Sequence, residues 1–234
     1  MRKSVFSLVF ALGIATVCVA GDAAFFVDCG FSADGRVYVF GQYGKTDRDF
    51  EAWAEIYAVD VERNAFVDNG VFRTQPTAAT KGFSGKSAFE ALQGKVRWAT
   101  EKYDCKPATP KDILYIMEDE NKSAEREIVF TDFENSLQEN PAEYHVTLIP
   151  SYDGSGASCQ SSFYIDVVKT DADGNRLFSC TVGNPATKRK GITDYQITRI
   201  LADKENKGLV FVVEKRLEDS KGISIRYMVE TTRL

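Results

Sequence analysis

At 234 residues, 44% apolar and 12% aromatic, the chain is long enough to bury a sizeable core and too rich in core-forming side chains to be disordered. Its 29 Lys and Arg against 34 Asp and Glu give a net charge of −5, which repels phosphate backbones and anionic lipid and argues against nucleic acid as a partner. With a single histidine and no CxxC spacing, no zinc or other metal site is expected, and no motif calls for a cofactor.

Arg2 and Lys3 head an apolar run at residues 5–19, and Cys18-Val19-Ala20 supplies a small–x–small cleavage site. The run falls short of the roughly 20 residues that cross a bilayer, and no stop-transfer segment follows. Residues 1–20 therefore read as a signal peptide cut after Ala20. Residues 21–234 read as one β-rich domain, released to periplasm or medium with no stable membrane insertion. Lipidation at Cys18 is disfavoured by the bulky Val17 before it. Loss of Cys18 leaves Cys29, Cys105, Cys159 and Cys180, an even set that permits two disulfides in an exported chain. Cys159 and Cys180 flank a predicted hairpin, which favours that pair together with Cys29–Cys105. Free buried thiols are the alternative.

Along the mature chain most segments read as short strands. Asp34-Gly35 separates runs at 25–31 and 36–40, as in a tight hairpin, and the segment 53–61 alternates with Trp53, Glu55, Tyr57, Val59 and Val61 on one side. A Thr/Ala/Gly/Ser-rich loop at 74–85 leads to Phe89, Leu92, Val96, Ala99 and Tyr103, spaced as one face of an amphipathic helix at about 86–104. Ser87-Ala88-Phe89-Glu90 is its expected capping box, and Pro107 lies past its end. Runs at 113–117 and 127–133 flank a charged turn, and 144–149 is a further strand. Runs at 163–168 and 177–182 enclose Asp171-Ala172-Asp173-Gly174-Asn175, and strands at 209–213 and 223–229 close the chain. About ten to twelve strands predict a mainly β fold, with antiparallel sheets of blade-like hairpins in a sandwich, barrel or partial propeller and one helix packed on a sheet.

Residues 30–40, followed by Glu55-Ile56-Tyr57-Ala58-Val59-Asp60, resemble the TolB-type propeller repeat, with Ala33 where that repeat prefers proline. A weaker echo runs through Ile200-Leu201-Ala202-Asp203-Lys204, residues 208–213 and residues 225–229. The resemblance implies that Asp34 and Gly35 shape a structural turn. Over nearly its whole length the chain also resembles a bacterial family of predicted secreted proteins of unknown function, on its leader, its Gly-Phe-Ser-x-Asp-Gly turn, its central helix and its Gly-Leu-Val-Phe-Val-Val-Glu-Lys segment. That likeness implies export and carries no catalytic residues.

Motifs with chemical content are few. Residues 80–87 end in Gly-Lys-Ser like a phosphate loop, but Thr80 stands where that loop needs a small residue and no buried strand precedes it. Residues 171–175 fail the spacing of a calcium loop and read as a hairpin turn. Nucleophilic catalysis would have to use His145, which lies in a strand rather than an exposed elbow. Among the aromatics of the N-terminal sheet, Tyr43 and Trp53 flank a long polar loop and are the candidate ligand platform. The reading is a non-enzymatic binding or interaction module of the bacterial envelope whose partner is an envelope protein or polymer. The alternative is an envelope-directed hydrolase using paired carboxylates, the one catalytic device this composition supports.

Overall fold

The apolar run at residues 209–213 lacks the polar-apolar alternation of a half-buried strand, and a strand of that kind must be covered on both faces. The computed structural model, which describes residues 22–46, 49–74, 76–77, 80–117, 127–132, 141–220 and 222–234, meets this demand with three stacked sheets. The leader at 1–20, including Cys18 and Ala20, and the turn at 118–126 lie outside those residues.

The N-terminal sheet is an antiparallel meander of β1 (Phe25–Phe31), β2 (Val37–Lys45), β3 (Ala52–Asp60) and β4 (Ala65–Arg73). Helix α1 (Gly85–Glu101) follows, and then β5 (Ile113–Ile116). The outer sheet holds β6 (Glu127–Asp132), β7 (Ala142–Asp153), β8 (Gln160–Thr170), β9 (Arg176–Val182) and the short β10 (Arg189–Lys190), with β9 and β10 both paired to β8. The central sheet runs β13 (Gly222–Arg233), β12 (Gly208–Asp219), β11 (Ile192–Ala202), β5. The fold is mainly β and antiparallel, no barrel closes among the described residues, and the stack is consistent with a sandwich or a partial propeller.

Strand β12 lies inside the central sheet. Leu209, Phe211 and Val213 enter a core with Tyr144, Val146, Phe163 and Ile165 of the outer sheet. Val210 and Val212 enter a second core with Tyr38, Phe40, Tyr57 and Val59 of the N-terminal sheet. Each such side chain contributes about 1.5–3 kcal/mol of burial. The other face of β3, Ala52, Ala54, Ile56 and Ala58, lies under Ala88, Phe89, Leu92 and Val96 of α1. Close approach is needed there, since a Cβ on Gly41 would stand 2.3 Å from the Phe89 ring.

β13 is an edge of the central sheet, and such edges invite pairing with other chains. Here three of its outward N–H groups, at residues 225, 227 and 231, are taken. Ile225 N–H donates to Asp22 O at 2.8 Å, Tyr227 N–H to Gln42 Oε1 at 2.8 Å, and Thr231 N–H to Asn64 Oδ1 at 2.8 Å. The N-terminal sheet and the segment before it thus close the central sheet's edge as well as its face.

Three details differ from the sequence reading. The helix starts earlier than a Ser87 cap implies, because Ser84 Oγ accepts the Ser87 N–H at 3.0 Å. It ends at Glu101, where Tyr103 and Asp104 N–H groups turn back to Thr100 and Glu101 carbonyls. All four described cysteines are free thiols, which corrects the predicted disulfides. Cys180 sits opposite Val167 while Cys159 immediately precedes β8, which separates them by roughly 26 Å along the strand, far beyond bridging range. Cys29 and Cys105 line one crevice and pack beside the helix-facing core, where burial pushes each thiol up to about 12.

Two substitutions test this architecture. Phe211→Ala should cost about 3–5 kcal/mol in urea unfolding, since it empties the inner strand. Gly94→Ala should instead add about 0.8–1 kcal/mol, because a Cβ there meets nothing within 4 Å and alanine is the better helix former.

Candidate functional site

Strand alternation separates the two aromatic residues singled out as a platform. Tyr43 lies opposite Ala54 and Gly44 opposite Trp53, so the two rings project from opposite faces of the N-terminal sheet. Tyr43 stacks on Phe25 with centroids 5.3 Å apart and tilts against Phe89 of α1 at 5.6 Å. Trp53 faces the central sheet and is only 8% exposed. Its Nε1–H donates to Asp22 Oδ2 at 3.1 Å, and the Arg226 guanidinium lies 4.2 Å from its ring centroid while donating to the same Oδ2 at 2.6 Å. Asp22 is itself buried, and its main chain bridges β13. This cluster fastens the start of the described chain to β3 and β13, and Trp53 offers little surface to a ligand.

The other singled-out positions are local supports. Asp34 Oδ1 accepts from Ser32 Oγ at 2.6 Å and from Arg36 N–H at 3.1 Å, which lowers its carboxyl below the usual range. Gly35 has φ +67, and a Cβ there would stand 2.2 Å from Asp203 Oδ2. The two turns that echo each other in sequence therefore abut, and Arg233 donates to Gly35 O at 3.1 Å beside them. The crevice left there measures about 100 Å³. Asp171 Oδ1 accepts the Asp173 and Asn175 N–H groups at 3.0 and 2.8 Å, an Asx turn that uses the oxygens a cation would need. The Gly-Lys-Ser loop is occupied as well, since Ser84 caps the helix and Gly85 abuts the Gly44 carbonyl. His145 pairs with Glu143 at 2.8 Å and Glu127 at 3.7 Å on the outer sheet. No group of three His, Cys, Asp or Glu able to hold a metal occurs among the described residues.

A roomier site lies elsewhere, along the β13 edge where all three sheets meet. A cleft of about 640 Å³ is walled by the β3–β4 turn, the connection from β9 to β10, and the C-terminal half of β13. At its base is Glu230, with only 7% of its side chain exposed. Glu230 Oε1 accepts from Arg189 Nη2 at 3.3 Å, and Oε2 accepts a short hydrogen bond from Asn64 Nδ2. Arg189 is held in turn over the Phe163 ring, 5.0 Å from its centroid. Asn64 adopts φ +49, a turn conformation asparagine tolerates, and this lets its amide reach both Glu230 and the Thr231 N–H. Phe66 forms one wall. It stacks on Tyr57 at 5.4 Å and remains 55% exposed, so one face is free to meet a ligand.

Burial raises the Glu230 carboxyl above the usual glutamate range, against the opposing pull of Asn64, Arg189 and Lys215. The site therefore combines an aromatic face, an amide, a guanidinium and a desolvated carboxyl, a set suited to hydrogen-bonding a polar ligand. None of these residues stood out in the sequence. An acid beside the apolar positions of β13 was the one available signal, because buried acids demand partners.

The raised Glu230 carboxyl has a stability consequence. Its proton is held more tightly in the folded state than in the unfolded chain, so its contribution falls as pH rises above the ordinary value of 4.5. Urea midpoints measured from pH 4 to 7 should decline more steeply for the native protein than for Glu230→Gln.

No helix among the described residues is long and apolar enough to cross a membrane. No curated protein and no solved structure matches the chain. Residues 39–233 match the family described as Predicted secreted protein (DUF2259), and the chain belongs to that family of predicted secreted proteins of unknown function.

Proposed function

We propose that this protein is a non-enzymatic binding module of the bacterial envelope that takes a polar ligand, a segment of an envelope polymer, in the three-sheet cleft. Export after removal of residues 1–20, to periplasm or medium, belongs to the same reading. The observation that carries it is the composition of the cleft: a volume in the range of ligand sites, one exposed aromatic face on Phe66, and a carboxyl already clamped by two donors. A sugar ring would lay its C–H face on Phe66 and exchange hydrogen bonds with the exposed polar groups of the rim, as rings with one free face commonly allow.

The hydrolase alternative draws on Glu62, which lines the same cleft as Glu230, and on the raised Glu230 carboxyl. It is the weaker reading because both Glu230 oxygens accept from fixed donors, whereas a general acid must turn its proton to the substrate.

Calorimetric titration with soluble fragments of envelope polysaccharide tests the proposal. Binding should weaken at least about tenfold in Phe66→Ala and stay unchanged in Tyr43→Ala, on the opposite side of the sheet, with no fragment cleaved. Absence of binding to every fragment contradicts it. Cleavage abolished by Glu230→Gln would replace it with the hydrolase.

A further inference from the structure

The chain has two tryptophans, and the fold treats them in opposite ways. Trp53 is buried against Asp22 and Arg226, whereas Trp98, near the end of α1, is 70% exposed. Helix periodicity accounts for the difference, since Leu92 and Val96 turn to the sheet and Trp98 lies off that row. Gly94, one turn earlier, puts no side chain beside the ring. Trp98 walls a groove of about 190 Å³ whose other side is β4. Val67, Phe72 and Tyr103 add apolar surface to it, and the exposed Asp68 and Lys102 line it as well. Lys102 stands over the Tyr103 ring, 5.2 Å from its centroid, and neither it nor Asp68 makes an ion pair among the described residues.

This groove adjoins the three-sheet cleft. β4 is an edge of the N-terminal sheet, where Phe66 pairs with Val59 and Val71 with Tyr57. Residues 67–70 therefore bulge opposite Ala58 alone, and Asn69 takes φ +56 within the bulge. Residues 65–66 line the cleft, and the bulge that follows them lines the groove. Phe66 stacks on Tyr57 on the face turned to the central sheet, and Val67 packs on the face under α1, as strand alternation requires. A bulge breaks the ladder that a second strand would need, so this edge is a poor template for a polypeptide. A pyranose ring suits it better, with an apolar face for Trp98 or Phe66 and hydroxyls for the polar groups around them. An apolar protein side chain would strip water from Asp68 and Lys102 and return no hydrogen bond.

We propose that Trp98 and Tyr103 form a second subsite for a glycan held in the cleft, one chain crossing the β4 edge with a sugar ring on Phe66 and another on Trp98. The proposal rests on the cleft reading for the class of ligand. It adds a length requirement, because only a fragment that spans both rings binds fully. Once the first ring is seated, the second binds at the high local concentration set by the linkage.

Soluble chito-oligosaccharides, a dimer and a hexamer, are the probes, with calorimetry for affinity and acrylamide quenching of tryptophan fluorescence for location. Because Trp53 is shielded, quenching in the full chain reads Trp98. The hexamer should shield Trp98 from acrylamide and the dimer should not. Hexamer affinity should fall at least about tenfold in Trp98→Ala, while dimer affinity, set by Phe66, stays the same. The thermal midpoint of Trp98→Ala should not move, because the ring is exposed. Hexamer binding that needs Phe66 and leaves Trp98 fully quenchable overturns the second subsite and leaves the cleft reading standing. Shielding of Trp98 that is undiminished in Phe66→Ala overturns the shared path, and binding of neither oligomer overturns both readings. Shielding that grows with protein concentration alone marks this face as a contact between copies and overturns the glycan subsite.

Discussion

Burial of β12 on both faces is the constraint from which the rest of the structure follows. A strand that presents Leu209, Val210, Phe211, Val212 and Val213 in sequence cannot lie on a surface, and its two rows of side chains need two different covers. The outer sheet supplies one and the N-terminal sheet the other. Once the N-terminal sheet is seated, its far face must also be covered, and α1 does so over a row of alanines and Gly41. The order of layers is thus a sequence of obligations, each created by the layer before it.

The same stacking explains where the open space lies. Sheets that pack face to face diverge at their edges, and β13 is the edge of the middle layer. Asp22, Gln42 and Asn64 take its outward N–H groups at residues 225, 227 and 231. These contacts blunt the edge against pairing with other chains. They also bring polar groups of all three sheets to one line, ending in the Asn64–Glu230–Arg189 cluster of the cleft. The edge is blunted as a template for strands, and a cleft opens beside it.

Strand periodicity made much of the architecture legible in advance. The alternation through Trp53, Glu55, Tyr57 and Val59 correctly predicts a shared face, and the spacing of Phe89, Leu92 and Val96 correctly predicts a helix on a sheet. The site was not legible, for reasons of the same physics. Tyr43 and Trp53 are close in sequence, but pairing with β3 places them on opposite faces, and Trp53 is consumed by the Asp22–Arg226 contact. Asn64 and Glu230 meet across a separation of 166 residues, and Arg189 comes from a third sheet. Local pattern carries no trace of such a meeting. Cys159 and Cys180 erred in the opposite way, because hairpin flanks adjacent in the chain lie at distant points along β8.

Hydrogen exchange of the protein, with and without soluble envelope polymer fragments, tests this account most directly. The account predicts that β12 amides exchange most slowly in the free protein, and that added fragments slow exchange at residues 62–66, 181–189 and 228–232. Faster exchange in β12 than in α1, or protection by fragments centred on Tyr43 and the start of β3, would contradict it.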